Sequence, residues 1–436
     1  MAAVSEHRKF LGMSLWQQVF AGMILGIGLG FLLKYTIQDP DALKDAAEDI
    51  KILGTIFLTL IKMVVAPLIF LALVSGITSL NDMDSFTRIG LKGIAAYLTT
   101  ACFAVIIGLL AALIFQPGMG VPPELAQSIH ESAASAPPAT APEMSVFLMN
   151  LIPSNIFKSF VDDHFLQIVF FAIFFGVTMN LMGERVAGAR EVIRELAFVV
   201  FKMIENIVKL APIAVFGFMA WMVATQGMDI LKSLGWLIIT VIVACIFQYG
   251  LFGLMIRAFT KLSPFPFYKK MLTTQTLAFA TSSSKATLTT AMRELETKLG
   301  VSEKSTNFMM PLGACVNMDG TAIYLGICAV FFSQMFGIPL HLHEYLILLL
   351  TCTLGSIGAA GIPSGSIIFM GMVLTSVGLP IEGIGIILGV DRLLDMLRTT
   401  INITGDATIT LIIDDSEDSL NRDMYYRPVA DDEPLY

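Results

Sequence analysis

An all-α polytopic membrane protein is the fold class this sequence predicts, on three observations. Of its 436 residues, 56% are hydrophobic and only 14% charged, and the mean hydropathy is +0.77; soluble domains carry about 25% charged residues. Apolar runs of roughly 20 residues, enough to cross a bilayer, recur along the chain. Near its end, Asp391, Asp395, Arg398, Asn402 and Asp406 recur at steps of four, three, four and four within apolar sequence. On a helix that spacing stacks them on one stripe about 80° wide, with Leu393, Leu394, Leu397 and Ile401 opposite. Ionisable groups inside a membrane span are costly, which makes the stripe a candidate binding site.

Composition excludes several function classes. The net charge of −8 comes with no basic patch of the kind that follows phosphates, so no nucleic-acid partner is expected. Cys102, Cys245, Cys315, Cys328 and Cys352 lie in apolar stretches without CxxC spacing and read as buried thiols. His7, His130, His164, His341 and His343 sit near polar junctions, and nothing resembles a metal cage. The N-terminus lacks a short apolar region with a small-residue cleavage site, so no cleaved signal is expected.

In chain order, spans are expected at about Leu15–Leu33, Ile52–Leu80 and Gly90–Phe115. An Ala/Pro-rich loop without Lys or Arg follows, then a shorter apolar piece at Val146–Ile152 and spans at Leu166–Met182, Phe201–Thr225 and Leu234–Phe259. Basic residues cluster at Arg8/Lys9, Arg88/Lys92, Arg185–Lys202 and Lys261–Lys270. They alternate with basic-poor loops at 116–145 and 226–233, which places these clusters and the N-terminus in the cytoplasm. The loop after the first span, with Lys34, Lys44 and Lys51 amid acidic residues, fits that pattern least.

From Met271 the apolar runs are interrupted by small and hydroxyl residues, in TTQTLAFATSSSKATLTTAM and TCTLGSIGAAGIPSGSIIFMGMVLTSVG. A break in mid-membrane leaves backbone groups that must line a cavity or pack on protein. Each stretch is expected to be a re-entrant hairpin, with tips at Ser282–Lys285 and Ile362–Ser366; two kinked helices are the alternative. Each is followed by an apolar helix with embedded polar residues: first PLGACVNMDGTAIYLGICAVFF, a seventh span, then the stripe. Paired interrupted segments are the sequence mark of a transporter site near the bilayer midplane.

Asn317, Asp319, Gly320 and Thr321 are flanked by apolar sequence, so Asp319 cannot reach the interface. Carboxylates in low dielectric are protonated or bind a cation. Spacing alone does not choose between Na⁺ and H⁺. Arg398 suits bidentate pairing with a substrate carboxylate. Asp395, three residues earlier, can instead neutralise it locally.

The motifs NMDGT, TSSSKATL, GIPSGS and DRLLDMLRTTINITGD, with IKMVVAPLIF in the second span, resemble the glutamate/aspartate transporter family, the dicarboxylate/amino acid:cation symporters. The likeness covers essentially the whole chain. It implies eight transmembrane helices, two opposed re-entrant hairpins, a homotrimer among membrane lipids and an elevator-type movement. It implies a cytoplasmic N-terminus (1–12), helices 1–6 (13–259; scaffold and trimerisation elements, plus helices 3 and 6 of the transport domain), a transport core (260–415) and an acidic tail (416–436). The location expected is a bacterial inner membrane, multi-pass, with both termini cytoplasmic.

By the same resemblance, Arg398 holds the substrate's side-chain carboxylate and Asp395 its amino group. Asn402, Thr321, Ser284, Ile362 and Ser366 are further substrate contacts. Asp406 with the backbone of Gly313, Asn317 and Asn402 resembles one sodium site. Asp319 and Asn317 with Tyr97 and Thr100 resemble another, and Cys315, Ser356, Ile357 and Ala359 a third. Five positions depart from the family pattern. Ala101 replaces a serine that often helps the third-span sodium site, and Lys285 occupies a tip position usually small or hydroxylic. Ser282 and Met396 stand at the two places where members carry an extra arginine. Leu325 replaces the glutamate of proton-coupled eukaryotic relatives.

The function expected is secondary-active import of L-glutamate and/or L-aspartate with Na⁺, not an enzyme activity. The alternative is proton-coupled symport of acidic amino acids or C4-dicarboxylates. A hydrolase built on Ser284 lacks a mid-span histidine as base, and for an anion channel the sequence offers only the polar hairpins.

Overall fold

The computed structural model describes residues 15–78, 87–119, 152–162, 164–358 and 365–428. Among these the regular structure is entirely helical, in agreement with the predicted class. Ala359, Ile362, the N-terminal segment, most of the Ala/Pro-rich loop, the piece at 146–151 and the last eight residues lie outside the described residues.

Two layers make up the bundle. The outer one consists of α1 (Leu15–Thr36), α2 (Pro40–Thr78), α5 (Phe165–Met182), α6 (Ala187–Val208) and α7 (Ala211–Gln226). Short α4 (Ile156–Val161) leads into α5. The inner layer surrounds α16 (Ile384–Ser416). It contains α3 (Thr87–Phe115), α8 (Met228–Thr260), α10 (Leu272–Thr281), α11 (Ser284–Thr297), α12 (Glu303–Val316), α13 (Asp319–Phe336), α14 (Leu342–Gly358) and α15 (Gly365–Ser376). Two short helices, α9 (Pro264–Lys270) and α17 (Arg422–Tyr426), lie together at one end. By length and composition, five described helical stretches can cross a bilayer, or six counting α2 as one bent span. The bend in α2 is 41°; Pro67 causes it by removing a donor and crowding the carbonyl four residues back.

Glycines set how closely the layers are built. Gly22, Gly26 and Gly30 form one buried stripe of α1 that lies on the backbone of α7 at Pro212, Phe216 and Ala220. A Cβ at Gly26 would sit 2.5 Å from the Phe216 carbonyl oxygen, and one at Gly30 2.7 Å from that of Ala220. Such spacing lets helices touch backbone to backbone where lipid supplies no hydrophobic drive. Gly26→Leu should therefore lower stability by about 2 kcal/mol or more; detergent-solubilised protein with an unchanged melting temperature would refute this seam.

Both interrupted stretches fold back on themselves. α10 ends at Ser282, whose φ of 51° is left-handed, and Ser283 caps α11 by accepting from the Ala286 amide at 3.3 Å. The arms run antiparallel: Glu294 on α11 accepts from the Thr274 hydroxyl on α10 at 2.6 Å. Likewise Ser376 of α15 lies 3.4 Å from Thr351 of α14. The turn between those two arms, 359–364, lies outside the described residues.

The expected seventh span lies within one stretch able to cross a bilayer, Glu303–Phe336, but its helix is interrupted: helix geometry stops at Asn317 (φ −106°, ψ 102°) and Met318 (φ −126°, ψ 58°) and resumes as α13. The break brings Gly320 onto α16, where a Cβ would lie 2.5 Å from the Arg398 carbonyl oxygen. The close contact and the carboxamide of Asn402 take the place of the lost helical turn.

Candidate functional site

The polar stripe of α16 is almost wholly buried; Asp391 and Arg398 are each 1% exposed and Asp395 8%. Arg398 donates from Nη1 to Asp391 Oδ1 and from Nη2 to Asp395 Oδ1, both at 2.9 Å. Arg392 donates to the other oxygen of Asp395 at 3.3 Å. Tyr324 of α13 lays its ring 4.0 Å from the Arg398 guanidinium carbon, a cation–π contact strengthened by exclusion of water. A buried guanidinium is tolerable only when its charge is matched, and two carboxylates of its own helix match it here.

The local Asp395–Arg398 pair is present, and Asp391 joins it: it pairs not with the adjacent Arg392 but with Arg398, seven residues on. Adjacent helical residues point about 100° apart, whereas seven residues make nearly two full turns. Ser366, at the start of α15, brings its hydroxyl to 3.4 Å from Asp391 Oδ1 and so joins the second hairpin to the stripe. Between the layers, a narrow crevice walled by Val19, Phe57, Val215 and Ile367 reaches Asp391 and Arg392.

A second cluster forms where the α12–α13 break meets α16. Asn317 donates to Asp406 Oδ1 at 3.1 Å, and the Thr100 hydroxyl donates to Asn317 Oδ1 at 3.2 Å. Gln248 of α8 donates to Asp319 Oδ2 at 3.2 Å. Gly313 lies against Asp406 and the Tyr97 hydroxyl, and that hydroxyl donates to the Met309 carbonyl at 2.9 Å. Asp319 and Asp406 are both fully buried, and each leaves one oxygen without a hydrogen-bond partner, Oδ1 and Oδ2 respectively. Among the described residues neither has an ion-pair partner; the groups facing them are neutral amides and hydroxyls. The set is all oxygen and amide, of the kind that suits a hard cation, and no group of three His, Cys, Asp or Glu side chains suited to a metal ion occurs among the described residues.

The remaining described site residues lie around these two clusters and on the hairpin arms. Asn402 spends its side chain on the start of α13, accepting from the Gly320 amide at 2.8 Å. Thr321 is buried in the first turn of α13, and Ser284 opens α11. Ser356 turns its hydroxyl back to the Thr353 carbonyl of its own helix at 2.8 Å. Cys315 and Ile357 are half-buried on α12 and α14, which pack together. Sequence reading missed Gln248 and Tyr324. The first was legible as a lone amide in the apolar run VIVACIFQYGLFGL; the second carried no signal beyond lying on the NMDGT helix.

Fold and site together define a polytopic membrane transporter rather than an enzyme. The model of the sodium:dicarboxylate symporter family matches residues 15–416. A C4-dicarboxylate transport protein of Rhodospirillum rubrum is 33% identical over 415 residues, covering 94% of this chain and 90% of the relative. C4-dicarboxylate transport protein 2 of Mesorhizobium japonicum is 33% identical over 434 residues, 98% of this chain and 95% of the relative. C4-dicarboxylate transport protein 1 of Ralstonia nicotianae is 33% identical over 425 residues, 96% of each. The chain belongs to the sodium:dicarboxylate symporter family.

Proposed function

We propose that this protein is a secondary-active symporter of four-carbon dicarboxylic acids. The observation that carries the reading is Arg398, buried and held in a fork by Asp391 and Asp395. An incoming carboxylate takes over one arm of the guanidinium, and Asp395, already shared with Arg392, is the partner that yields. The names of the relatives support a C4-dicarboxylate over the acidic amino acids expected first. A second reading, L-glutamate and/or L-aspartate, is favoured by Asp395 itself, since a carboxylate released from Arg398 suits an ammonium group. L-Aspartate, a four-carbon diacid with an amino group, satisfies both.

Na⁺ is the proposed coupling ion, carried as co-substrate. The unpartnered oxygens of Asp319 and Asp406 support it, as does the family's description. Asn317, Thr100, Tyr97, Gly313 and Asn402 complete the two clustered sites; Cys315, Ser356, Ile357 and Ala359 form the third. Ser284, Thr321, Ile362 and Ser366 close on the substrate. The reading includes eight spans, re-entrant hairpins, a homotrimer in a bacterial inner membrane with cytoplasmic termini, and an elevator movement of the 260–415 core.

Uptake into proteoliposomes tests it. Labelled succinate should accumulate under an inward Na⁺ gradient and be competed by malate and fumarate. Accumulation of aspartate but not succinate would replace the first substrate reading by the second. Accumulation driven by a pH gradient alone would remove Na⁺.

A further inference from the structure

We infer that Gln248 helps hold a cation at Asp319, orienting that carboxylate and lending its own amide oxygen, a role that rests on the Na⁺ reading above. It sits in the middle of α8, fully buried, where the surrounding sequence is apolar. Its Nε2 donates to Asp319 Oδ2, while its own Oε1 has no hydrogen-bond partner. Burying an amide with half its capacity unused costs free energy unless a further partner is recruited. Asp319 Oδ1, on the same carboxylate, is also unpartnered and buried.

The neighbourhood leaves little freedom. A Cβ on Gly405 would lie 3.0 Å from each of Asp319 Oδ2, Asn317 Nδ2 and the Phe252 ring, so α8, α13 and α16 converge here. Phe252, one turn beyond Gln248, fixes that face of α8 against α16. By holding one carboxylate oxygen, the Gln248 N–H sets the direction of the other. The Gln248 carbonyl oxygen adds a neutral ligand beside it. A cation between them gains oxygen ligands from two helices, so its binding also ties α8 to α13.

The test measures the rise in melting temperature of the purified full-length protein between Na⁺-free (choline) and Na⁺-saturated buffer. Gln248→Met keeps the shape but removes donor and acceptor. It should shrink the rise and raise the half-saturating Na⁺ concentration about tenfold. Gln248→Glu keeps the oxygen but loses the N–H that holds Asp319 Oδ2 and sets a second carboxylate beside it; it should also shrink the rise. A purely structural glutamine would lower both melting curves equally in both variants, and that result would overturn the inference. Asp319→Asn separates the two levels of argument. If Asp319→Asn loses the Na⁺ response and Gln248→Met retains it, the role of Gln248 fails alone. If Asp319→Asn retains the full response, the cation reading of this cluster and the inference fall together.

Discussion

Arg398→Cys should abolish transport of dicarboxylic substrates, lowering uptake efficiency at least about a hundredfold. The guanidinium is the one basic group paired to two carboxylates in the stripe, and a thiol offers neither charge nor fork. Removing it also takes away the ion-pair partner of Asp391 and one of those of Asp395, so the variant must first be shown to fold by size-exclusion and thermal melting. Arg398→Lys is the informative companion: it keeps the charge but loses the planar geometry, and should remain severely impaired. If the substrate is an amino acid, Arg398→Cys should in addition admit small neutral amino acids, because the pocket no longer rejects a side chain without a carboxylate. Acidic-substrate uptake with unchanged affinity would show that Arg398 does not read the substrate.

Asp406→Asn should raise the Na⁺ concentration for half-maximal uptake by about tenfold or more, at little cost in folding. The substitution is isosteric, and the new amide oxygen can still accept from Asn317 Nδ2, so the link between α12 and α16 survives. What it removes is the negative charge at a fully buried oxygen with no other partner. An unchanged Na⁺ activation curve would take Asp406 out of the ion path.

The two variants also show which features were legible in the sequence. Hydropathy and the four-three-four-four spacing sufficed for a buried polar stripe, because periodicity directly sets which residues share a helix face. The serine cluster marked the first fold-back, whose tip falls at Ser282–Ser283, inside the expected interval; the turn that GIPSGS was expected to form lies outside the described residues. Spacing offered the Asp395–Arg398 pair, which is present, but not the second partner of Arg398. Asp391 chose Arg398 over the adjacent Arg392 because direction around the helix outweighs nearness in sequence. The break at Asn317–Met318 was hidden because apolar residues continue on both sides of it. Its cause is tertiary: the approach of Gly320 to the backbone of α16 and the cap from Asn402. Gln248 was legible as a lone amide in an apolar run, but its role was not, since that amide gains meaning only from its partner on another helix.

The glycine seam between α1 and α7 has a mechanical consequence. Interlocked backbones cannot shear past one another, because each small step drives a carbonyl into a neighbouring main chain; α1 and α7 therefore behave as one stiff post. The contacts of that post with α16 are of another kind. The Phe218 ring rests at Gly385 and the Met219 sulfur at Gly389, flexible greasy tips against shallow notches without directional bonds. Friction is thus unevenly distributed: high within the outer layer, low along the plane facing the polar stripe. If one part of this molecule carries cargo past another, that lubricated plane is where the sliding belongs.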